Sequence, residues 1–179
     1  MKAMLPALVL LCICHIGYAQ EKTLAPDDRL SAVSFVIKNF GLRVSGSFSG
    51  LEGTIRFDPD NAAQAVFDVS VKAAAINTGN KKRDNHLRSN DFFDAEKFPL
   101  IHIKGAHPQP GSDGHSYVLK ATLEMHGVSG QVAIPFTVKE GEAWVFEGGF
   151  TVNRLSYKVG GSSLTMADEA KVSLKIYAR

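Results

Sequence analysis

The chain has 179 residues and a formal net charge of +2, and its basic residues are scattered apart from Lys81, Lys82 and Arg83. That balance excludes the concentrated positive patch of a nucleic-acid-binding protein. The length suits one domain with a substantial apolar core.

The first segment, MKAMLPALVLLCICHIGYA, places Lys2 before an apolar run from Ala3 to Ile16, with Gly17 and Ala19 flanking Tyr18. It reads as a secretory signal peptide over residues 1–19, which leaves a single domain over 20–179 and a periplasmic or secreted location. The apolar run is too short for a spanning helix, and no later segment approaches that length. Both cysteines, Cys12 and Cys14, fall in the leader. The mature domain is therefore expected to use neither disulfides nor cysteine-ligated metal.

From residue 32 onward the chain alternates apolar and polar residues with the period of two that marks strands. SAVSFVIKNF presents Val33, Phe35 and Ile37 on one face, and VSGSFSG and LEGTIRFD continue the pattern. AVFDVSVK presents Phe67, Val69 and Val71. After the short LIHIK run, YVLKATLEM offers Leu119, Ala121, Leu123 and Met125. QVAIPFTVK offers Ile134 and Phe136, AWVFEGGFTVN offers Phe146, Phe150 and Val152, and KVSLKIYAR ends the series. Turn chemistry separates these runs, as in DPDN at 58–61, PQPGSDG at 108–114 and HGVSG at 126–130. Short joins favour antiparallel pairing. Pro135 interrupts one run, so its strand must lose a ladder bond or bulge there. Eight or nine one-faced strands without long helices must pack on a second sheet or close on themselves. A closed eight-stranded barrel has room for a small ligand.

One stretch breaks the alternation. RDNHLRSNDFFDAEKFP, residues 83–99, belongs to a helical insertion expected near 80–96, with Asn77 or Asn80 as its cap. Asp84 and Arg88 stand i, i+4 with the acid first, which favours a pair. Pro99 ends the insertion.

Four segments carry a family resemblance: SFVIKNFGLRVSGSFSGLEGTIRFD, TGNKKRDNHLRSNDFFDAEKFPLIHI, LEMHGV and FTVNRLSY. In order and spacing, over roughly residues 30–178, the chain resembles the YceI-like family of secreted lipid- or polyisoprenoid-binding proteins. The resemblance implies an all-β fold, an extended eight-stranded antiparallel lipocalin-like β-barrel around an apolar tunnel, and no defining catalytic activity. Local departures occur at Ala121–Glu124 and at Ser156, Tyr157 and Lys158.

Arg83, Asp84 and His86 are residue types capable of acid–base work, but no HExxH motif or second histidine at ligand spacing accompanies them. They are assigned instead to a structural polar cluster pinning the insertion, with Asp84 accepting from helix N-terminal NH groups and Arg83 paired to a carboxylate. No catalytic residue and no metal ligand is assigned. His102, His107, His115 and His126 read as separate surface or turn residues. Phe92, Phe93 and Phe98 either line a tunnel mouth or close a barrel end.

Periodicity alone leaves open whether the inward residues fill a core or line a cavity. The resemblance favours a ligand wall of Phe35, Ile37, Phe67, Val69, Val71, Phe92, Phe93, Leu123, Met125, Ile134, Phe136, Phe146 and Phe150. Arg154 stands at the tunnel mouth, facing either a ligand headgroup or Asp84, Asp91 or Asp94. The expected function is non-enzymatic: holding a long-chain amphiphile (polyisoprenoid, quinone or similar lipid) for transport or storage. No cofactor is required beyond that ligand, and edge pairing or a shared tunnel would allow a homodimer. The competing readings are a self-filled interaction module and a hydrolase-type enzyme using Arg83, Asp84 and His86.

Overall fold

The computed structural model describes residues 22–179, so the leader assigned to 1–19 lies outside the described residues. The architecture is an all-β, strongly curled antiparallel sheet with few helices. Its strands are β1 (Thr23–Leu24), β2 (Ala32–Asn39), β3 (Leu42–Phe48), β4 (Glu52–Arg56), β5 (Val66–Lys72) and β6 (Leu100–Ala106). β7 (Gln109–Pro110), β8 (Ser116–Met125), β9 (Val128–Lys139), β10 (Trp144–Asn153) and β11 (Met166–Ala178) complete it. The order is β1-β4-β5-β6-β8-β9-β10-β11-β2-β3, with β7 beside β8. These 11 strands exceed the eight of the expected barrel: nine match the upper count of alternating runs, and β1 and β7, of two residues each, have no periodicity to betray them.

The recorded ladder is an open path, and short backbone contacts tie its margins. Ala25 and Arg179 exchange hydrogen bonds of 2.7 and 3.0 Å, joining the segment after β1 to the end of β11. Ser47 of the β3 edge exchanges two 2.9 Å bonds with Asn77, beyond β5. The β9–β10 ladder stops at the pair Phe136–Gly148, one residue from Pro135, as a missing NH requires.

The helical insertion is shorter than expected. Only α1 (Lys81–Arg88) is helical. Ser89 is already extended, its hydroxyl bonds the His86 carbonyl at 2.7 Å, and Asp94 takes a positive φ of 44°. The Ser-Asn-Asp run thus offers the backbone turn partners that compete with further helix.

The interior divides into two unlike halves. At one end an aromatic cluster is packed solid. Phe57 is 1% exposed, and its ring lies 5.4 Å from Tyr117, 5.4 Å from Phe146 and 5.8 Å from Trp144. Phe67 packs on Phe136 at 5.4 Å, and Ile134 is buried in the same cluster. Gly105 stands in register between Phe67 and Ala121, and a Cβ there would come within 3.0 Å of Ala121 and Leu119. Farther along the same strands several inward residues are only half-buried, among them Phe35, Val69, Ile103, Phe150 and Val172, beside a smaller buried cluster of Leu123, Met125, Val152, Tyr157 and Val159. Inward residues that remain accessible mark an interior not filled by side chains.

Truncation separates the halves. Phe57→Ala should cost about 3–5 kcal/mol of unfolding free energy. Phe150→Ala, in the half-buried region, should cost clearly less. Urea denaturation of the two variants measures the difference.

Candidate functional site

A cavity of ≈ 200 Å³ occupies the unfilled half. Its wall follows from register. One row runs across three strands through Phe150, Val172 and Phe35, and ends at Gly46 of β3. A Cβ at Gly46 would stand 2.4 Å from the Phe35 ring, so only glycine leaves that ring its place. A second row joins Val69, Ile103 and Leu123. Successive inward residues on each strand continue both rows, because side chains alternate faces.

Of the expected wall residues, Phe35, Ile37, Val69, Val71, Phe92, Phe93, Leu123, Met125, Phe150 and Arg154 line this cavity. Phe67, Ile134, Phe136 and Phe146 do not; they belong to the solid aromatic end. The division has a physical cause. Both halves use one strand face with one period, and only the packing of bulky rings decides which half is full. Phe93 meets Phe48 edge-on at 5.5 Å, and Phe92 packs against Gly160. Phe98 instead lies against His126 at 5.1 Å, under the β8–β9 turn.

The insertion is held by a residue that sequence reasoning passed over, Thr78. Its NH and hydroxyl donate to Asp84 at 2.8 and 2.5 Å. The Thr78 hydroxyl accepts from Arg83 Nε at 2.8 Å, and its carbonyl from Nη2 at 2.9 Å. Arg83 therefore serves threonine and not a carboxylate, and Asp84 accepts from the residue ahead of the helix and not from the helix's own first NH groups. Asn80 caps α1 by accepting from the Arg83 NH at 3.1 Å, one of the two caps anticipated. Arg88 does not close on Asp84. It donates to the carbonyls of Ala74 and Ile76 at 2.6 and 2.9 Å. The TGN run before a cationic helix carried the signal for this hub.

His86 stands apart from Arg83 and Asp84. It is exposed, its ring is 4.9 Å from Phe92, and its Nε2 is 3.9 Å from Asp91. The three residues do not converge on one centre. Among the described residues no three His, Cys, Asp or Glu side chains gather to hold a metal ion. His102 faces away from Ile101 and Ile103 and meets Asp68 at 2.6 Å. That hydrogen bond, with Lys104 beside it, holds the Asp68 carboxyl below its usual range.

Arg154 is 4% exposed and fully engaged by the protein. It donates to the carbonyls of Ala167, Val159 and Gly161 at 2.8–3.1 Å, and its Nη2 lies 3.1 Å from Asp168. Its carboxylate partner is on β11, not in the insertion as expected. The guanidinium thus staples the loop between β10 and β11 and presents its edge to the cavity. One polar atom at the wall is unmatched: the buried Oδ1 of Asn39 has no hydrogen-bond partner.

The YceI-like domain model matches residues 25–178. A UPF0312 protein of Photorhabdus laumondii is 32% identical over 103 residues, 57% of this chain and 53% of that relative, so the alignment spans about half of the relative's length. BcnA of Burkholderia cenocepacia is structurally similar at a TM-score of 0.81 and 26% identity, covering 86% of this chain and 99% of that one. A polyisoprenoid-binding domain from Saccharophagus degradans, implicated in plant cell wall breakdown, shares the fold at a TM-score of 0.70 and 15% identity, with 87% and 97% covered.

The Asp84 hub has a pH signature. The Thr78 hydroxyl, more than the neighbouring Arg88 and Arg83, holds the Asp84 carboxyl below its ordinary 3.8. A depressed folded pKa stabilises above the unfolded value and loses that contribution as pH falls through the folded one. Asp84→Asn should therefore melt lower at neutral pH and lose less on acidification below that ordinary value. Thermal melts across that range measure both slopes.

Proposed function

The chain belongs to the YceI-like family, and from that membership and the unfilled half of its sheet we propose that it is a non-enzymatic exported binding protein. It holds the long apolar tail of an amphiphile, a polyisoprenoid, quinone or similar lipid, for transport or storage outside the cytoplasm. The curled sheet acts as a barrel around that tail. One observation carries the reading: inward-facing Phe35, Val69, Ile103, Phe150 and Val172 stay half-buried beside a solid aromatic end. The polyisoprenoid-binding domain that shares this fold supports the ligand class.

The energetics suit a tail. Each buried CH2 contributes about 0.8 kcal/mol, so an apolar wall retains a long chain with few polar contacts. The unmatched Asn39 Oδ1 then offers an acceptor to a donor on the ligand. Arg83 offers the complementary group, a donor: Nε and Nη2 are committed to Thr78, and the guanidinium lines the cavity with Nη1 to spare. The site acts outside the cytoplasm if residues 1–19 direct export.

Native mass spectrometry of protein from its own host, followed by organic extraction, should find a long-chain lipid. Val69→Asp should abolish retention, and Val172→Trp should do so by filling the cavity while the fold stays intact. Lys175→Ala, on the outer ion pair with Glu147, should leave it unchanged. Apo protein that stays empty after incubation with polyprenols and quinones would refute the reading.

A further inference from the structure

Three large apolar side chains are exposed along one rim. Phe40 is 75% exposed, Leu42 is 71% exposed, and Leu164 is fully exposed. The backbone brings them together. Phe40 and Gly41 form the two-residue turn between β2 and β3, Leu42 pairs with Asn39, and the Phe40 NH bonds the carbonyl of Thr165 at 2.8 Å. Asn39 pairs in turn with Met166, and both line the cavity. The exposed trio therefore flanks the wall itself.

Phe40 is also misplaced by the rules of folding. Its φ is +50° and that of Gly41 is +75°. Positive φ at both central positions is the mark of a type I′ turn, which prefers asparagine first and penalises a bulky residue. A buried phenylalanine could repay that strain through packing, but this one meets solvent. Strain kept at an exposed aromatic points to a use outside the fold.

The charges beside it have one sign. Lys38 and Arg43 face each other across the hairpin, both exposed, and neither makes an ion pair among the described residues. No Asp or Glu occurs from residue 31 to residue 51. The acids at this rim are Asp168, held by Arg154, and Glu169 in the β11 bulge. Exposed aromatic and aliphatic tips flanked by unpaired cations fit a negatively charged bilayer, where the tips enter the interface and the cations meet headgroups.

We propose that this rim docks the protein on an anionic lipid surface and sets the cavity against the bilayer for loading or release of its ligand. The proposal rests on the lipid-binding reading for its purpose and on the rim alone for its geometry.

The test is cosedimentation of the mature protein with vesicles of phosphatidylglycerol and phosphatidylcholine, compared with phosphatidylcholine alone. Wild type should bind the anionic vesicles, and less at high salt. Lys38→Gln with Arg43→Gln should weaken binding roughly thirtyfold. Phe40→Asn with Leu164→Ser should also lose binding, while Phe40→Asn alone raises the melting temperature by relieving the turn. Binding of cis-parinaric acid in solution should be unchanged in these rim variants and lost in Val172→Trp. Wild type that ignores vesicles, or rim variants that bind as wild type does, overturns the proposal. A concentration-dependent dimer broken by Phe40→Asn, without vesicle binding, also overturns it and gives the patch to a second copy. Vesicle binding by a protein that takes up no apolar probe would sustain docking and sink the carrier reading.

Discussion

An apolar wall facing an unfilled space collapses unless something else holds it open. Here that support is the aromatic cluster around Phe57. It concentrates ring contacts from β5, β9 and β10 at one end of the sheet and buries them completely. Because the same strands run on into the cavity, fixing them at the solid end fixes their separation at the hollow one. Dense packing is stiff. The walls inherit that stiffness through continuous ladders such as the ten-residue pairing of β10 with β11.

The margins need a different device, since the ladder path does not run continuously from β3 to β4. Arg83 and Arg88 supply much of it by bonding backbone carbonyls, and Arg154 does the same for the loop between β10 and β11. Arg83 takes that of Thr78, Arg88 those of Ala74 and Ile76, and Arg154 those of Ala167, Val159 and Gly161. Each satisfies oxygens that no strand partner reaches, which matters where irregular backbone passes beside an apolar space. Arginine suits the work because its planar fork reaches several acceptors from one buried stem. The price is chemical: Arg88 and Arg154, so engaged, have little left for a ligand, and Arg83 keeps only Nη1.

Much of the fold was legible because strand alternation is a local property. The long strands follow the runs beginning at Val33, Phe67, Leu119 and Phe146, and Pro135 marks the end of a ladder. Less local features were hidden. β1 and β7 exist only through their partners. The choice of Asp168 over Asp84, Asp91 or Asp94 for Arg154 depends on how a connecting loop returns, which no spacing encodes. The division between Phe67, Phe136 and Phe146 in the solid end and Phe35, Val69 and Phe150 on the wall was invisible for the same reason. All sit on inward faces with the same period, and cavity or core is decided by the summed volume of residues far apart in the chain. Thr78 was missed because its partners are the side chains of Arg83 and Asp84, five and six residues on, a pattern without apolar periodicity.

The same division sets where ligand and stability meet. Apolar surface left half-accessible forgoes the burial energy it would have in a filled core, so the hollow half is the weaker half of the fold. A tail occupying it would restore that burial and bind only the folded state, raising stability with ligand concentration. The Asn39 oxygen has the same character, since its buried acceptor is a cost until a donor arrives. Unfilled volume, an unmatched acceptor and a strained exposed aromatic are each unfavourable for the isolated chain. They lie together along β2 and its turn, from Phe35 through Asn39 to Phe40, and one event, entry of an amphiphile from a lipid surface, would relieve the first two and employ the third.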